Sequence, residues 1–154
     1  GTVPAVGEKA PCFNLVNMAL NEISCLDFRG KRVVLNVFPS LDTPVCAASV
    51  RRFNQKAAEL DNTAVICVSM DLPFAASRFC TAEGIKNLEV ASAFRSPLFA
   101  QKYGLQIVDG PLAGLLARAV IILNGEGMVE YVDLVSEITD EPDYKSAIDF
   151  MKKK

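Results

Sequence analysis

The stretch VVLNVFPSLDTPVCAASVRRF, residues 33–53, decides the fold. Val33, Val34, Leu35, Val37 and Phe38 form an apolar, β-branched run of the kind covered on both faces of a sheet. Pro39 ends the run. Thr43 then stands where a helix N-cap belongs, and Pro44 occupies the first helical position, where its missing N–H is no loss. Cys46 falls in the first helical turn. Unpaired backbone N–H groups and the positive end of the helix dipole favour an anion there. The sequence thus sets a thiol where ionisation is favoured, and Cys46 is the candidate reactive centre.

The helix that begins at Pro44 is expected to run to about residue 60. Cys46, Val50, Phe53, Ala57 and Leu60 recur at spacings of four, three, four and three and share one stripe. Cys46 therefore points inward with the core face, while Arg51 and Arg52 lie off it.

Upstream, residues 1–31 are turn-rich, with Phe13–Leu15 and Ile23–Phe28 as short strand candidates. Downstream, Ala64–Met70 (AVICVSM) reads as a second buried strand. Asp71, Leu72 and Pro73 repeat the cap-then-proline signal, and a helix follows to about Glu83, closed by Gly84. Phe74, Ala75, Arg78, Phe79 and Ala82 form its expected stripe, with Cys80 on the flank. Leu88–Val90 is a weak strand, and Pro97–Tyr103 a short helix. Leu116–Leu123 (LARAVIIL) is a strong strand, Asn124–Gly125 marks a hairpin, and Met128–Val135 is the returning strand. Pro142–Lys152 has the pattern of an amphipathic helix. This order argues an α/β fold, a central mixed β-sheet flanked by helices. Cys46 then lies at the carboxyl end of a central strand, where open α/β sheets place their sites.

Composition narrows the chemistry. A chain of 154 residues, 51% hydrophobic and 22% charged, suits one domain spanning residues 1–154. The formal net charge of −2 gives no electrostatic reason to expect nucleic acid or an anionic membrane. No apolar run approaches the ~18–20 residues that span a bilayer. Cytoplasmic localisation is expected, with the periplasm as the alternative. There is no histidine, which excludes Ser/His/Asp and Cys/His catalysis and removes the commonest metal ligand. No metal and no cofactor are implied. Five cysteines, at 12, 25, 46, 67 and 80, are too few and too scattered for a disulfide framework, and none forms a CxxC pair. Backbone amides and arginine are left to activate Cys46.

Pro39, Thr43 and Cys46 match the PxxxTxxC motif of peroxiredoxins. The surrounding NVFPSLDTPVCAASVRRFNQ, with SMDLPFAASRFCTAEGI and DGPLAGLLARAV, closely resembles the bacterial thiol peroxidase branch, the atypical two-cysteine peroxiredoxins. The resemblance covers nearly the whole chain. It implies a thioredoxin-like fold, reduction of alkyl hydroperoxides and hydrogen peroxide, recycling by thioredoxin, and a homodimer. Members of the branch carry a short extra N-terminal segment that this chain is expected to lack.

Carried over residue by residue, the resemblance implies Cys46 as the peroxidatic cysteine, Thr43 as its hydroxyl partner and Pro39 as the shield of the pocket. It also implies Arg118 as the guanidinium facing the thiolate and Cys80 as the resolving cysteine. The chemistry suits these roles. An anionic sulfur attacks one peroxide oxygen while donors hold both oxygens and stabilise the leaving alkoxide. An arginine in an apolar strand requires an anionic or strongly accepting partner. Leu41, Phe74, Leu112 and Leu115 are candidates for a substrate pocket that favours alkyl peroxides. Cys46 and Cys80 are expected to join only after the first turn of the Cys46 helix and the Cys80 helix both unwind or shift.

Plainer readings stand beside each assignment. A cysteine on an apolar helical stripe is most often core. Thr43 serves as an N-cap, Pro39 as a strand terminator, and Arg118 as a partner for a carboxylate. Cys80 alone reads as a partly buried helix residue. Cys67 reads as core, and Cys12 and Cys25 carry no motif. Two rival functions remain: a dithiol–disulfide oxidoreductase, against which the missing CxxC argues, and a redox sensor switched by a disulfide.

Overall fold

The computed structural model describes residues 2–135 and 143–152. Seven strands form one mixed sheet in the order β2-β1-β5-β4-β3-β6-β7. These are β1 (Asn14–Asn17), β2 (Glu22–Ser24), β3 (Arg32–Val37), β4 (Thr63–Ser69), β5 (Glu89–Ser92), β6 (Ala119–Leu123) and β7 (Val129–Leu134). The helices are α1 (Pro44–Ala57), α2 (Pro73–Glu83), α3 (Pro97–Lys102) and α4 (Tyr144–Lys152). β3, β4 and β5 run parallel, linked through α1 and α2. β1, β6 and β7 are antiparallel to their neighbours.

The strand period of two divides the core between the two faces of the sheet. Val33, Leu35 and Val37 join Ile66, Val68, Ile121 and the α3 residues Phe99 and Ala100 on one face. Val34 and Phe38 join Val65, Cys67, Val120 and Ile122 on the other. The second face is covered by α1 through Cys46, Val50, Phe53 and Ala57, by α2 through Ala76 and Cys80, and by α4 through Ala147, Ile148 and Met151. Each large apolar side chain so buried contributes roughly 1.5–3 kcal/mol.

Several elements differ from the sequence reading. The expected strand Ile23–Phe28 ends at Ser24. Cys25–Phe28 instead forms a short 3₁₀ turn, where Ser24 and Asp27 exchange the bonds of a capping box. Local capping there outcompetes the β-propensity of the run. α1 stops at Ala57 rather than near residue 60, and Leu60 packs half-buried beyond it. The expected strand Leu116–Leu123 begins only at Ala119, so Arg118 sits just ahead of the ladder, not within it. The start of the C-terminal helix expected at Pro142 lies outside the described residues.

The α2 stripe is corrected outright. Its buried residues are Pro73, Ala76 and Cys80, whereas Phe74 is 69% exposed. Small side chains at spacings of three and four set the helix against the sheet, and the large Phe74 turns outward. Asp71 is not the cap of α2. The N-cap is Leu72, without a side-chain cap bond.

Candidate active site

Cys46 sits in the first turn of α1, beyond the carboxyl end of β3. It is 0% exposed. Arg118, 1% exposed, approaches from the chain entering β6, and its Nη1 donates to Cys46 Sγ at 3.2 Å. β6 pairs antiparallel with β3, Val37 opposite Ala119, so the residue before Ala119 arrives beside the residues after Val37. A guanidinium aimed at a buried sulfur makes a charge-assisted donor for a thiolate and for the oxyanion that forms next to it.

Thr43 occupies the N-cap position with extended backbone, but its hydroxyl caps nothing. Oγ1 donates instead to the Ser40 carbonyl at 2.9 Å, and the Thr43 N–H reaches the same carbonyl at 3.2 Å. The hydroxyl proton is thereby engaged, and its lone pairs remain to accept a proton-bearing oxygen. Pro44 has no N–H and Thr43 lends no side-chain cap, so the start of α1 is held mainly by its contacts. Pro39, two residues beyond the end of β3, is buried.

Asp71, read from sequence as a helix cap, fastens this loop. Its Oδ1 accepts from Ser40 Oγ at 2.8 Å. Oδ2 accepts from the Leu41 N–H at 2.7 Å and from Ser69 Oγ at 2.7 Å. One carboxylate thus joins the end of β4 to the loop that presents Thr43 and Cys46. Asn36 does similar work beneath the helix. Its Nδ2 donates to Ser49 Oγ at 3.1 Å and to Cys67 Sγ at 3.5 Å, and Ser49 Oγ donates to the Cys46 carbonyl at 2.7 Å. The available signal for Asn36 was a lone amide inside VVLNVF, since a buried polar group requires a partner. The local pattern marked Asp71 only as a helix cap and did not mark Ser49.

Cys80 is 5% exposed and lies in the same buried cluster as Cys46. Burial pushes its thiol up to about 11. Its carbonyl accepts the N–H groups of Gly84 and Ile85, so the C-cap of α2 closes over it. Cys67 is fully buried beside it. Burial pushes that thiol up to about 12, the Asn36 hydrogen bond opposes the rise, and Cys80 adds to it. Of the pocket candidates, Leu41 is buried, Leu112 and Leu115 are half-buried, and Phe74 is exposed. Cys12 and Cys25 form a disulfide, whereas Cys46, Cys67 and Cys80 are free. Among the described residues no helix is long and apolar enough to cross a membrane.

A mixed sheet that carries a buried thiol at the start of the helix after a central strand, with arginine on the sulfur, defines a thioredoxin-like redox protein. The family model described as Redoxin matches residues 5–148. The chain is 54% identical over 148 residues to the thiol peroxidase of Corynebacterium glutamicum, covering 96% of this chain and 89% of that one. It is 55% identical over 148 residues to the thiol peroxidase of Mycobacterium tuberculosis, covering 96% and 88%. The crystal structure of a peroxiredoxin-like protein from Aquifex aeolicus superposes with a TM-score of 0.93 at 42% identity, covering 99% of this chain and 89% of that one. The chain belongs to the redoxin family, among its thiol peroxidases.

Proposed function

We propose that the chain reduces hydroperoxides through Cys46, with the Arg118 Nη1 to Cys46 Sγ contact of 3.2 Å as the observation that carries the reading. The Cys46 thiolate attacks the terminal oxygen of ROOH. The O–O bond breaks, the sulfur becomes a sulfenic acid and ROH leaves. Arg118 stabilises the charge that passes from sulfur to oxygen. The Thr43 hydroxyl, its own proton committed to Ser40, accepts the peroxide O–H. Pro39 shields the sulfur from bulk water.

Cys80 then attacks the sulfenic sulfur. Water leaves, and a Cys46–Cys80 disulfide forms within one chain. Both thiols are buried, one under the start of α1 and the other under the C-cap of α2. Those turns must open before the sulfurs meet, and the uncapped start of α1 favours opening there. Thioredoxin reduces the exposed disulfide by thiol–disulfide exchange.

Leu41, Phe74, Leu112 and Leu115 give the opened site an apolar wall that suits alkyl over hydrogen peroxide. The working unit is a homodimer of single thioredoxin-like domains, each spanning residues 1–154. Exposed Leu72, Phe74, Leu98 and Val108, in segments that lead from or into the carboxyl edge of the parallel strands, supply apolar surface for the partner. The compartment is the bacterial cytoplasm, with the periplasm as the alternative. Mass spectrometry after one equivalent of an organic hydroperoxide is the test. A Cys46–Cys80 disulfide is expected. A Cys46 that stays a thiol sinks the reading, and so does a sulfenic acid that never acquires Cys80.

A further inference from the structure

We propose that the Cys12–Cys25 disulfide is a second redox site, separate from Cys46, that exchanges with a small carboxylate-bearing thiol held in the cleft beside it. The disulfide joins the residues before β1 to the 3₁₀ turn after β2, at the edge of the sheet. Cys12 is exposed and Cys25 half-buried. An exposed disulfide is of the labile kind, open to an attacking thiolate, rather than the inert structural kind.

The two cysteines line a cleft of about 680 Å³, a size that suits a small molecule. Its floor is apolar, from Phe13, Phe28, Val33 and Leu123. Val33, the second residue of β3, pairs with Leu123, the last of β6, so the cleft lies at the end of the sheet opposite Cys46. The length of β3 separates the two sites, on the order of 16 Å.

The rim selects charge. Lys9, Arg29 and Lys31 line it against a single acid, Glu126, which leaves a net charge of +2. Lys9 Nζ donates to the Glu126 backbone carbonyl, fixing that ammonium at the rim. None of the three cations forms an ion pair among the described residues. An exposed disulfide, an apolar floor and rim cations outside any of these ion pairs together fit a thiol that carries carboxylates.

The exchange balances. The ligand thiolate RS⁻ attacks Cys12 Sγ, the S–S bond breaks, and Cys25 leaves as a thiolate that takes a proton from water. A second RSH, as thiolate, attacks the ligand sulfur of the mixed disulfide. RSSR leaves and Cys12 takes a proton. Two small thiols are oxidised by two electrons, and the protein disulfide is reduced to two thiols. The peroxide cycle takes no part.

The test follows reduction of Cys12–Cys25 in the folded full-length protein by differential alkylation and peptide mapping. The probes are 3-mercaptopropionate, which is anionic, and cysteamine, which is cationic. Arg29→Glu/Lys31→Glu should slow 3-mercaptopropionate about tenfold and speed cysteamine. Each thiol is compared only with itself, so intrinsic reactivity cancels. In the unmodified protein, raising salt to about 1 M should slow the anionic thiol and not the cationic one, which keeps the test independent of the variant's folding. Glutathione trapping should place the adduct on Cys12. Cys12→Ala/Cys25→Ala should keep peroxide turnover within about twofold. The proposal is overturned by rates blind to charge and salt, by a disulfide reducible only after unfolding, by an adduct on Cys25, or by lost peroxide turnover in the double alanine variant.

Discussion

Arg118 donates through Nη1 to Cys46 Sγ at 3.2 Å, although 72 positions separate them in the chain. Neither side chain touches water, so a charge on the sulfur is matched by the guanidinium rather than by solvent. Arg118→Lys keeps the charge and loses the planar fork. Sulfenic acid formation, followed by stopped flow with an organic hydroperoxide, should slow about 10²-fold in this variant. A rate within threefold of the parent protein would remove Arg118 from the chemistry.

Asp71 supports the same sulfur at one remove. Its carboxylate holds Ser40 and Leu41, and the Ser40 carbonyl in turn holds both the N–H and the hydroxyl of Thr43. In Asp71→Asn one accepting oxygen becomes a donor facing other donors, a mismatch of about 1–3 kcal/mol. Peroxide reactivity should drop about tenfold, with a melting temperature lowered by a few degrees. Because the variant repositions Thr43 without touching the substrate, the loss should appear in kcat/KM for large and small peroxides alike. Full reactivity beside a lowered melting temperature would restrict Asp71 to a structural part.

The central layout was legible because periodicity is strong where burial is complete. The run from Val33 to Phe38 and the stripe Cys46, Val50, Phe53, Ala57 and Leu60 announced β3 and α1, although α1 ends at Ala57, short of Leu60. α2 was misread because its contact face is built from Pro73, Ala76 and Cys80, small residues that carry less hydrophobic signal than the exposed Phe74. Ile23–Phe28 was misread because a capping box, four residues long, overrides β-propensity. The neighbours of Cys46 divided the same way. Thr43 and Arg118 belonged to motifs, but Asp71 and Ser49 act through tertiary contacts that no spacing encodes. The pairing of Cys12 with Cys25 was invisible, since it depends on β1 and β2 folding back on each other.

Gly84 closes α2 with φ +69°, and its N–H meets the Cys80 carbonyl. A Cβ added there meets no atom within 4 Å, so Gly84→Ala adds backbone strain without a clash, about 1 kcal/mol. The strain falls on the turn that covers Cys80. Disulfide formation after a single peroxide pulse should accelerate several-fold, while sulfenic acid formation stays unchanged. If formation is no faster, the C-cap does not gate Cys80.

The pH dependence of the disulfide step separates reaction in place from reaction after unwinding. In the closed fold burial holds the Cys80 thiol at about 11 against an ordinary value of 9.0. Attack from that closed state would make the rate climb without levelling up to pH 11. When opening of the last turn of α2 limits the step, the exposed thiol ionises and reacts before the turn recloses, so the rate should rise with pH and then level at the opening rate below about pH 10.5. Rapid-quench mapping of the Cys46–Cys80 bond from pH 6 to pH 10.5 follows this, and a curve still rising at the upper limit would rule out opening as the limiting step. The same raised thiols set an alkaline limit on the reduced protein. The folded chain keeps Cys67 and Cys80 protonated where the unfolded chain has lost those protons. Their contribution to stability is therefore whole below pH 9 and is lost as pH rises towards 11 and 12. Cys67→Val takes the more deeply buried thiol out of that balance. Its melting temperature should consequently fall less between pH 9 and pH 11 than that of the parent protein, and parallel curves would show that Cys67 ionisation does not govern the alkaline loss.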